Sequence, residues 1–123
     1  VPLMSPEDLV RAQQEVKKIY MDKRVEQYIA HLVESTRNYE KYKLTTGKYL
    51  EYGASPRATI ALFIASKAHA FVKGRTYVTP MDVKEVTHNV LRHRMILNYE
   101  GQAEEMSTDK IIDEILKKVP IPQ

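Results

Sequence analysis

Apolar residues recur at helical spacing in five stretches of the chain, separated by polar or glycine-containing segments. In four of the stretches they lie three or four residues apart, which places them on one face of an α-helix. Each stretch is preceded by a Ser, Thr or Asp that can cap a helix, and three of the five have a Pro in the first turn. The pattern therefore predicts helices over about 6–20, 23–38, 58–72, 80–91 and 108–118.

The third predicted helix differs from the others because it is apolar nearly all round between Ala58 and Val72. A helix of this kind is expected to be buried on most sides, and its many alanines allow neighbours to approach closely. Gly74 follows and can end the helix in the left-handed conformation. We therefore expect this helix to be the central element of the fold.

The segments between helices predict three connections. Residues 39–52 lack sustained periodicity and form a long loop, residues 99–106 form a polar loop, and residues 75–78 are extended. The chain as a whole, residues 1–123, is predicted to be one all-α domain built as a bundle of about five helices. A minor two-stranded β ribbon would join Tyr77–Val78 to another extended segment.

The composition of the chain excludes several kinds of functional site and binding partner. The absence of Cys excludes disulfides, thiol nucleophiles and Cys-ligated zinc. The net charge of +3 is small and scattered, which favours a solvated surface over a nucleic-acid interface. There is no apolar run of the roughly 18 residues that span a bilayer, and no leader pattern at Val1. We expect a cytoplasmic protein without membrane insertion, and the start reads as the interior of a longer polypeptide.

The segment Gly53-Ala54-Ser55-Pro56-Arg57-Ala58 is the most informative motif. Gly53 would free the backbone, Ser55 would cap the third helix, and Pro56 would fix its start. Arg57 would then project from the first turn, beside the positive end of the helix dipole, where cations are disfavoured. Oriented donors at this point suit phosphate oxygens. An exposed Arg paired with a loop acid remains the alternative.

Other polar residues carry weaker signals. The four histidines lack metal-ligand spacing with acids, so no metal site is expected at His31, His69, His88 or His93. Arg75 would anchor its turn or reach a neighbouring subunit. The cluster 92–94 would cap the fourth helix or contact a subunit. Four tyrosines interleaved with lysines in residues 39–52 could form a single-strand binding platform, although partial burial of their rings is the favoured interpretation.

Three ordered blocks resemble one family. They are Gly53–Ala58, then Gly74-Arg75-x-Tyr77-Val78-Thr79-Pro80-x-Asp82-Val83, then Val90-Leu91-Arg92-His93-Arg94. In this order and spacing they resemble the C-terminal helical lid subdomain of MoxR-type AAA+ ATPases, which shows GASPRA, GRxYVTPxDV and VLRHR. Thr36-Arg37 and the ending Val119-Pro120-Ile121-Pro122 also fit, so the resemblance covers essentially the whole chain.

The resemblance implies a role for Arg57 as the sensor-2 arginine, with Ser55 and Pro56 beside it at the nucleotide. It implies ATP with Mg²⁺, bound mainly by a core domain absent from this chain. It further implies contacts with that core and with neighbouring subunits of a hexameric, chaperone-like remodelling ring, in some cases working with von Willebrand A-type proteins. Nucleic acid and membrane are not among the implied partners.

The chain contains no GxxxxGK[ST] loop, and Gly47-Lys48 lacks the preceding glycine. Alone it is therefore expected to hydrolyse no ATP and to bind it weakly or not at all. A histone-like or other basic helical DNA-binding module is the alternative, since residues 76–83 are similar to the loop and last helix of a histone fold. That fold requires a much longer central helix than the one ended by Gly74. A docking domain that does not sense nucleotide is the third hypothesis.

Overall fold

Capping residues set the start of most helices in the computed structural model, which describes residues 5–122. Side-chain oxygens of Ser5, Asp22, Thr79, Asn98 and Ser107 each accept a hydrogen bond from a backbone amide two or three residues later. Within that range the elements are α1 (Pro6–Lys17), α2 (Lys23–Ser35), a 3₁₀ turn (Gly47–Tyr49), β1 (Leu50–Tyr52), α3 (Arg57–Val72), α4 (Pro80–Leu91), β2 (Ile96–Leu97), α5 (Tyr99–Ala103) and α6 (Thr108–Lys118). The prediction of an all-α bundle is confirmed.

The bundle core lies between α2, α3, α4 and α6, whose apolar stripes face one another. These stripes hold the largest fully buried apolar side chains, Tyr28, Ile29, Leu32, Leu62, Val83, Leu91, Ile111, Ile112 and Ile115. The helical spacing in the sequence placed all of these residues inside predicted helices.

The first helix is shorter than predicted and ends at Lys17 rather than near residue 20. The chain leaves the helix because Tyr20 pairs with the segment before α4: the Tyr20 amide donates to the Thr76 carbonyl, and the Tyr20 carbonyl accepts from the Val78 amide, both at 2.9 Å. No residue of α1 itself is buried among the described residues. The second helix also ends early, at Ser35 instead of 38.

The predicted ribbon exists, but not at Tyr77–Val78. Tyr77 forms only an isolated parallel bridge with Tyr20, whereas the two-stranded antiparallel sheet joins β1 to β2, with Leu50 opposite Leu97. The polar loop predicted for residues 99–106 instead contains α5. Asn98 explains that helix, since its side chain accepts from the Gly101 amide at 2.8 Å.

The long connection before α3 is fixed to the last helix by one carboxylate. Glu114 accepts hydrogen bonds from the amides of Thr45 and Thr46, both at 2.9 Å, and from their hydroxyls, both at 2.6 Å. Burial raises the pKa of Glu114, but these four donors outweigh it and lower the pKa to about 2. The segment that lacked periodicity is therefore anchored by a contact almost 70 residues away in sequence.

The third helix is central but is not buried on most sides, so that prediction is wrong. Its buried residues recur every four positions and form one stripe, Ala58, Leu62, Ser66 and Ala70. On other faces Ile60 is 61% exposed, Ile64 56% and Val72 79%. Among residues 5–122, α4 makes the most extensive contact with α3, and α2 and α1 make smaller ones. These exposed side chains leave apolar surface on α3 that residues 5–122 do not cover.

Candidate functional site

The loop that leads into α3 is held against the end of α2. The Ala54 amide donates to the Thr36 hydroxyl at 2.9 Å, and that hydroxyl donates to the Val33 carbonyl at 2.7 Å. Both Thr36 and Ala54 are buried, so neither group can exchange these bonds for water. The position at which α3 begins is consequently set by the side chain of Thr36, the residue that follows α2.

Gly53 is required by space and not by backbone freedom, which corrects the sequence interpretation. Its φ is not positive, whereas Gly74 has a φ of 78° and ends α3 in the left-handed conformation, as predicted. A Cβ on Gly53 would overlap the carbonyl of Thr36. Glycine at this position therefore lets the loop approach α2 closely enough for the bond between Ala54 and Thr36.

The predicted cap at Ser55 is not formed. Pro56 is the residue before the helix, and it provides no side-chain cap. Instead, the Ser55 carbonyl accepts from the Ala58 amide at 2.9 Å and the Pro56 carbonyl accepts from the Thr59 amide at 3.0 Å. These bonds span three residues and tighten the first turn, which satisfies the amides that a capping hydroxyl would otherwise serve. The Ser55 side chain thus stays exposed.

Arg57 is the first residue of α3 and is exposed, like Ser55 and Pro56 beside it. None of the seven ion pairs found among residues 5–122 includes Arg57. Its guanidinium therefore lies at the positive end of the α3 dipole without a local carboxylate to offset the charge. Such a group can take an anion supplied from outside the bundle.

A second arginine lies close to this end of α3, and the sequence analysis gave it no role. Arg37, just after α2, lines a pocket of about 240 Å³ together with Asn38, Pro56 and Thr59. Glu34, on the same wall, is already bound to the Tyr42 hydroxyl at 2.7 Å and the Lys41 ammonium at 3.2 Å. The only sequence signal was the Thr36-Arg37 pair within the family resemblance.

The block from Gly74 to Val83, after α3, surrounds a buried carboxylate. Asp82 is fully buried; it closes the capping box of α4 with Thr79 and also binds Arg75 and the His69 Nδ1, the latter at 2.7 Å. Burial raises the pKa of Asp82, but the Thr79 amide and His69 outweigh it, and the pKa is lowered. Of the two interpretations of Arg75, the structure shows the turn anchor.

The basic cluster after α4 is tied to α6. The Arg92 Nε donates to Asp109 at 2.8 Å, and the Arg92 carbonyl accepts from the Thr108 hydroxyl at 3.2 Å, while His93 and Arg94 are exposed. His88 is likewise 2.7 Å from Asp113 of α6.

In the described part of the chain, no three His, Asp or Glu residues are grouped as metal ligands. No helix there is long and apolar enough to cross a bilayer.

The tyrosine-rich segment does not present a row of exposed rings. Tyr39, Tyr42 and Tyr49 are partly buried and pack against the core, whereas Tyr52 is exposed. This matches the favoured interpretation of partial burial. The histone-like alternative also lacks its principal feature, because α3 has 16 residues and ends at Val72.

Comparison with known proteins places this geometry in a family. Residues 43–115 match the model of the AAA lid domain. The chain is 36% identical over 122 residues to Chaperone MoxR1 of Mycobacterium tuberculosis, covering 98% of this chain and 32% of that protein. It is 33% identical over 121 residues to the protein YeaC of Bacillus subtilis, covering 98% of this chain and 35% of YeaC.

A solved structure shares the fold. The crystal structure of a Cytophaga hutchinsonii protein, described as a candidate ATPase, superposes with a TM-score of 0.92 at 44% identity, covering 95% of this chain and 36% of that one. The chain thus spans about a third of the length of the relatives that it matches. By sequence and by structure, the chain belongs to the AAA lid domain family, in the form found in MoxR proteins.

Proposed function

We propose that this chain is the lid of a MoxR-type AAA+ ATPase and that Arg57 is its sensor-2 arginine. The observation that carries the proposal is the placement of Arg57: it is exposed at the first residue of α3, beside Ser55 and Pro56, and belongs to none of the ion pairs within residues 5–122. A guanidinium held in this way can contact the terminal phosphate of ATP with several oriented donors.

The nucleotide itself would be held mainly by a core domain elsewhere in the polypeptide. This chain has no phosphate loop, and no metal-ligand cluster lies in its described part, so Mg²⁺ would also be bound by the core. The lid supplies charge: Arg57 stabilises the negative charge that develops on the transferring phosphoryl group. Ser55 and Pro56 hold the start of α3 close to that phosphate.

Loss of the terminal phosphate would remove a partner of Arg57 and so change how firmly the lid is held. A ligand moves a protein only through different contacts in two states, and ATP and ADP differ at this contact. Because the loop before Arg57 is tied to α2 through Thr36, displacement of Arg57 would be passed to the bundle as a rigid unit. This is the relay function that we assign to the lid.

Arg37 extends the proposed nucleotide-facing surface. It lines the same pocket as Pro56, so a second arginine lies at the end of the bundle where Arg57 is exposed. Two arginines beside one anion would share its charge, and Arg37 would approach the nucleotide from the side of α2. We assign it a supporting role in nucleotide binding.

The partners that we propose rest on the family resemblance and, for the chaperone role, on the name of one relative. Chaperone MoxR1 is named as a chaperone, and it matches nearly the whole of this chain. We infer a ring, hexameric by family resemblance, in which the lid contacts its own core and neighbouring subunits and serves the remodelling of other proteins in the cytoplasm. Von Willebrand A-type proteins are the proposed co-workers.

The role of Arg57 is tested by ATP turnover of the full-length ATPase that contains this chain. The Arg57→Ala variant should lose turnover by about 100-fold or more, because one preorganised contact to developing charge is removed. Arg57→Lys should recover part of the loss. Lys73→Ala, at the exposed opposite end of α3, is the matched control and should leave turnover unchanged. Unchanged turnover in Arg57→Ala would refute the assignment.

The relay is tested separately by the affinity of the chain for its own core domain in the ATP and ADP states. The proposal requires a difference between the two states that Arg57→Ala abolishes. Equal affinity in both states would instead identify a docking module that does not sense nucleotide. Tight DNA binding with a steep salt dependence in a gel shift would favour the histone-like alternative over a lid.

A further inference from the structure

An apolar groove runs between α1 and the C-terminal half of α3. Its volume is about 730 Å³, and it is lined mainly by Ala12 and Val16 of α1 and by Phe63, Ile64, Ala68, Phe71 and Val72 of α3. Arg57 is about 11 residues from the middle of this part of α3, which corresponds to about 16 Å along the helix axis. The groove is therefore separate from the proposed nucleotide-facing surface.

Both walls of the groove carry apolar faces that the described part of the chain leaves uncovered. On α3, Ile64, Ala68, Phe71 and Val72 share one face, which is distinct from the stripe of Ala58, Leu62, Ser66 and Ala70 in the core. On α1, none of the residues is buried. Two neighbouring helices with incompletely buried apolar faces can receive the apolar face of a third, amphipathic helix.

The charged residues of the groove indicate which charges a bound helix should have. The lining contains two lysines, Lys17 on α1 and Lys67 on α3, and no acidic residue. Lys67 Nζ lies 4.5 Å from the centre of the Phe63 ring and 3.5 Å from the Lys17 carbonyl, so one ammonium stands at the edge of the apolar surface. The whole of α3 contains no Asp or Glu. The charged residues of the largely apolar lining are thus both positive.

We propose that this groove binds an amphipathic helix of a protein partner, with its apolar face on the groove floor and carboxylates flanking that face to pair with Lys17 and Lys67. The apolar face supplies the affinity, because it removes Ile64, Phe71 and Val72 from water. The flanking carboxylates set orientation and favour this helix over equally apolar but basic ones.

The test measures binding of designed helical peptides to the 123-residue chain by fluorescence anisotropy. One probe of about 18 residues has leucines at helical spacing flanked by glutamates, and its matched control has the same leucines flanked by lysines. The glutamate probe should bind at least about tenfold more tightly than the lysine probe. Equal affinity for both probes, or no binding of either, would overturn the proposal.

Two exposed isoleucines of α3 provide matched variants. Ile64→Arg lies in the groove and should weaken binding of the glutamate probe at least about tenfold, whereas Ile60→Arg lies outside the groove and should leave it unchanged. Because both side chains are more than half exposed, both variants should keep the helical circular dichroism of the parent. If both variants bind as the parent does, the groove is not the site.

Charge reversal and self-association complete the test. The double variant Lys17→Glu with Lys67→Glu should invert the preference, so that the lysine probe binds more tightly. Sedimentation measures whether a second copy occupies the groove instead. If the chain binds neither probe and forms a dimer that Ile64→Arg dissociates, the groove binds a second copy of the chain. That result would contradict the proposal of an acidic partner helix.

Discussion

The Thr36 hydroxyl and the Ala54 amide, 18 residues apart in sequence, lie 2.9 Å apart in the buried junction between α2 and the start of α3. Through this bond the end of one helix determines where Arg57 of the next is presented. The neighbouring Gly53 makes the approach possible, since any side chain there would overlap the Thr36 carbonyl. The candidate site therefore depends on a contact that lies beneath it.

Thr36→Val should destabilise the fold by about 1–3 kcal/mol, because the buried Ala54 amide loses its acceptor while the side-chain shape is kept. Thr36→Ser keeps the hydroxyl and should cost clearly less. Urea denaturation measures both. If the Val and Ser variants had the same stability, the hydroxyl would not be the group that holds the junction.

The lowered pKa of Glu114 predicts that the stability of the fold depends on pH. Its folded-state pKa of about 2 lies below its ordinary value of 4.5, so the folded state prefers the charged form. The stabilisation is complete above pH 4.5 and is lost as the pH falls toward 2. Glu114→Gln removes this dependence and, near neutral pH, should lower the free energy of unfolding by about 1–2 kcal/mol, since the partly exposed bonds are screened.

The measurement for Glu114 is the free energy of unfolding of both proteins from pH 6 to pH 2. The parent should lose stability relative to Glu114→Gln across the window from about 4.5 to about 2. Parallel curves for the two proteins in that window would contradict the assignment of the four hydrogen bonds to a charged carboxylate.

Asp82→Ala should be far more damaging than the loss of an exposed ion pair. Asp82 is fully buried between Arg75, His69 and Thr79, and its removal leaves partly buried donors unpaired, at a cost of about 3 kcal/mol or more. Arg92→Ala breaks the partly exposed pair with Asp109 and a long, exposed hydrogen bond to Asn89, and should cost less than about 1 kcal/mol. Thermal unfolding measures the stability of the two variants. Similar losses of stability in both would contradict the difference expected between a buried and an exposed ion pair.

Tyr28→Phe should stabilise the protein by about 1 kcal/mol. The Tyr28 ring is fully buried in the core, and its hydroxyl has no hydrogen-bond partner among the residues that the structure describes. Removing an unpaired buried hydroxyl removes its desolvation cost without emptying the space of the ring. Tyr42→Phe, which loses the 2.7 Å bond to Glu34, is the contrasting variant and should not stabilise. A less stable Tyr28→Phe would show that the hydroxyl is satisfied.

The helical pattern predicted the bundle well because its information is local. Spacing of apolar residues located the four core helices, and caps at Asp22, Thr79 and Ser107 gave the starts of three of them, α2, α4 and α6. The α5 helix was missed because five residues are too few to show a period, and only the Asn98 cap could have signalled it. The predicted cap at Ser55 failed because the first turn of α3 satisfies its own amides.

The sequence by itself determined the family, the helical fold and the placement of Arg57 at a helix start. Periodicity, caps and motifs each depend on residues that are close together in the sequence. Only the tertiary structure decided which face of α3 is buried, which segments pair as strands and which distant groups form hydrogen bonds. Examples are the bond between Ala54 and Thr36 and the bonds from Thr45 and Thr46 to Glu114. Those contacts join residues 18 to 69 positions apart. No local pattern encodes them, because they arise only when packed helices bring the groups together.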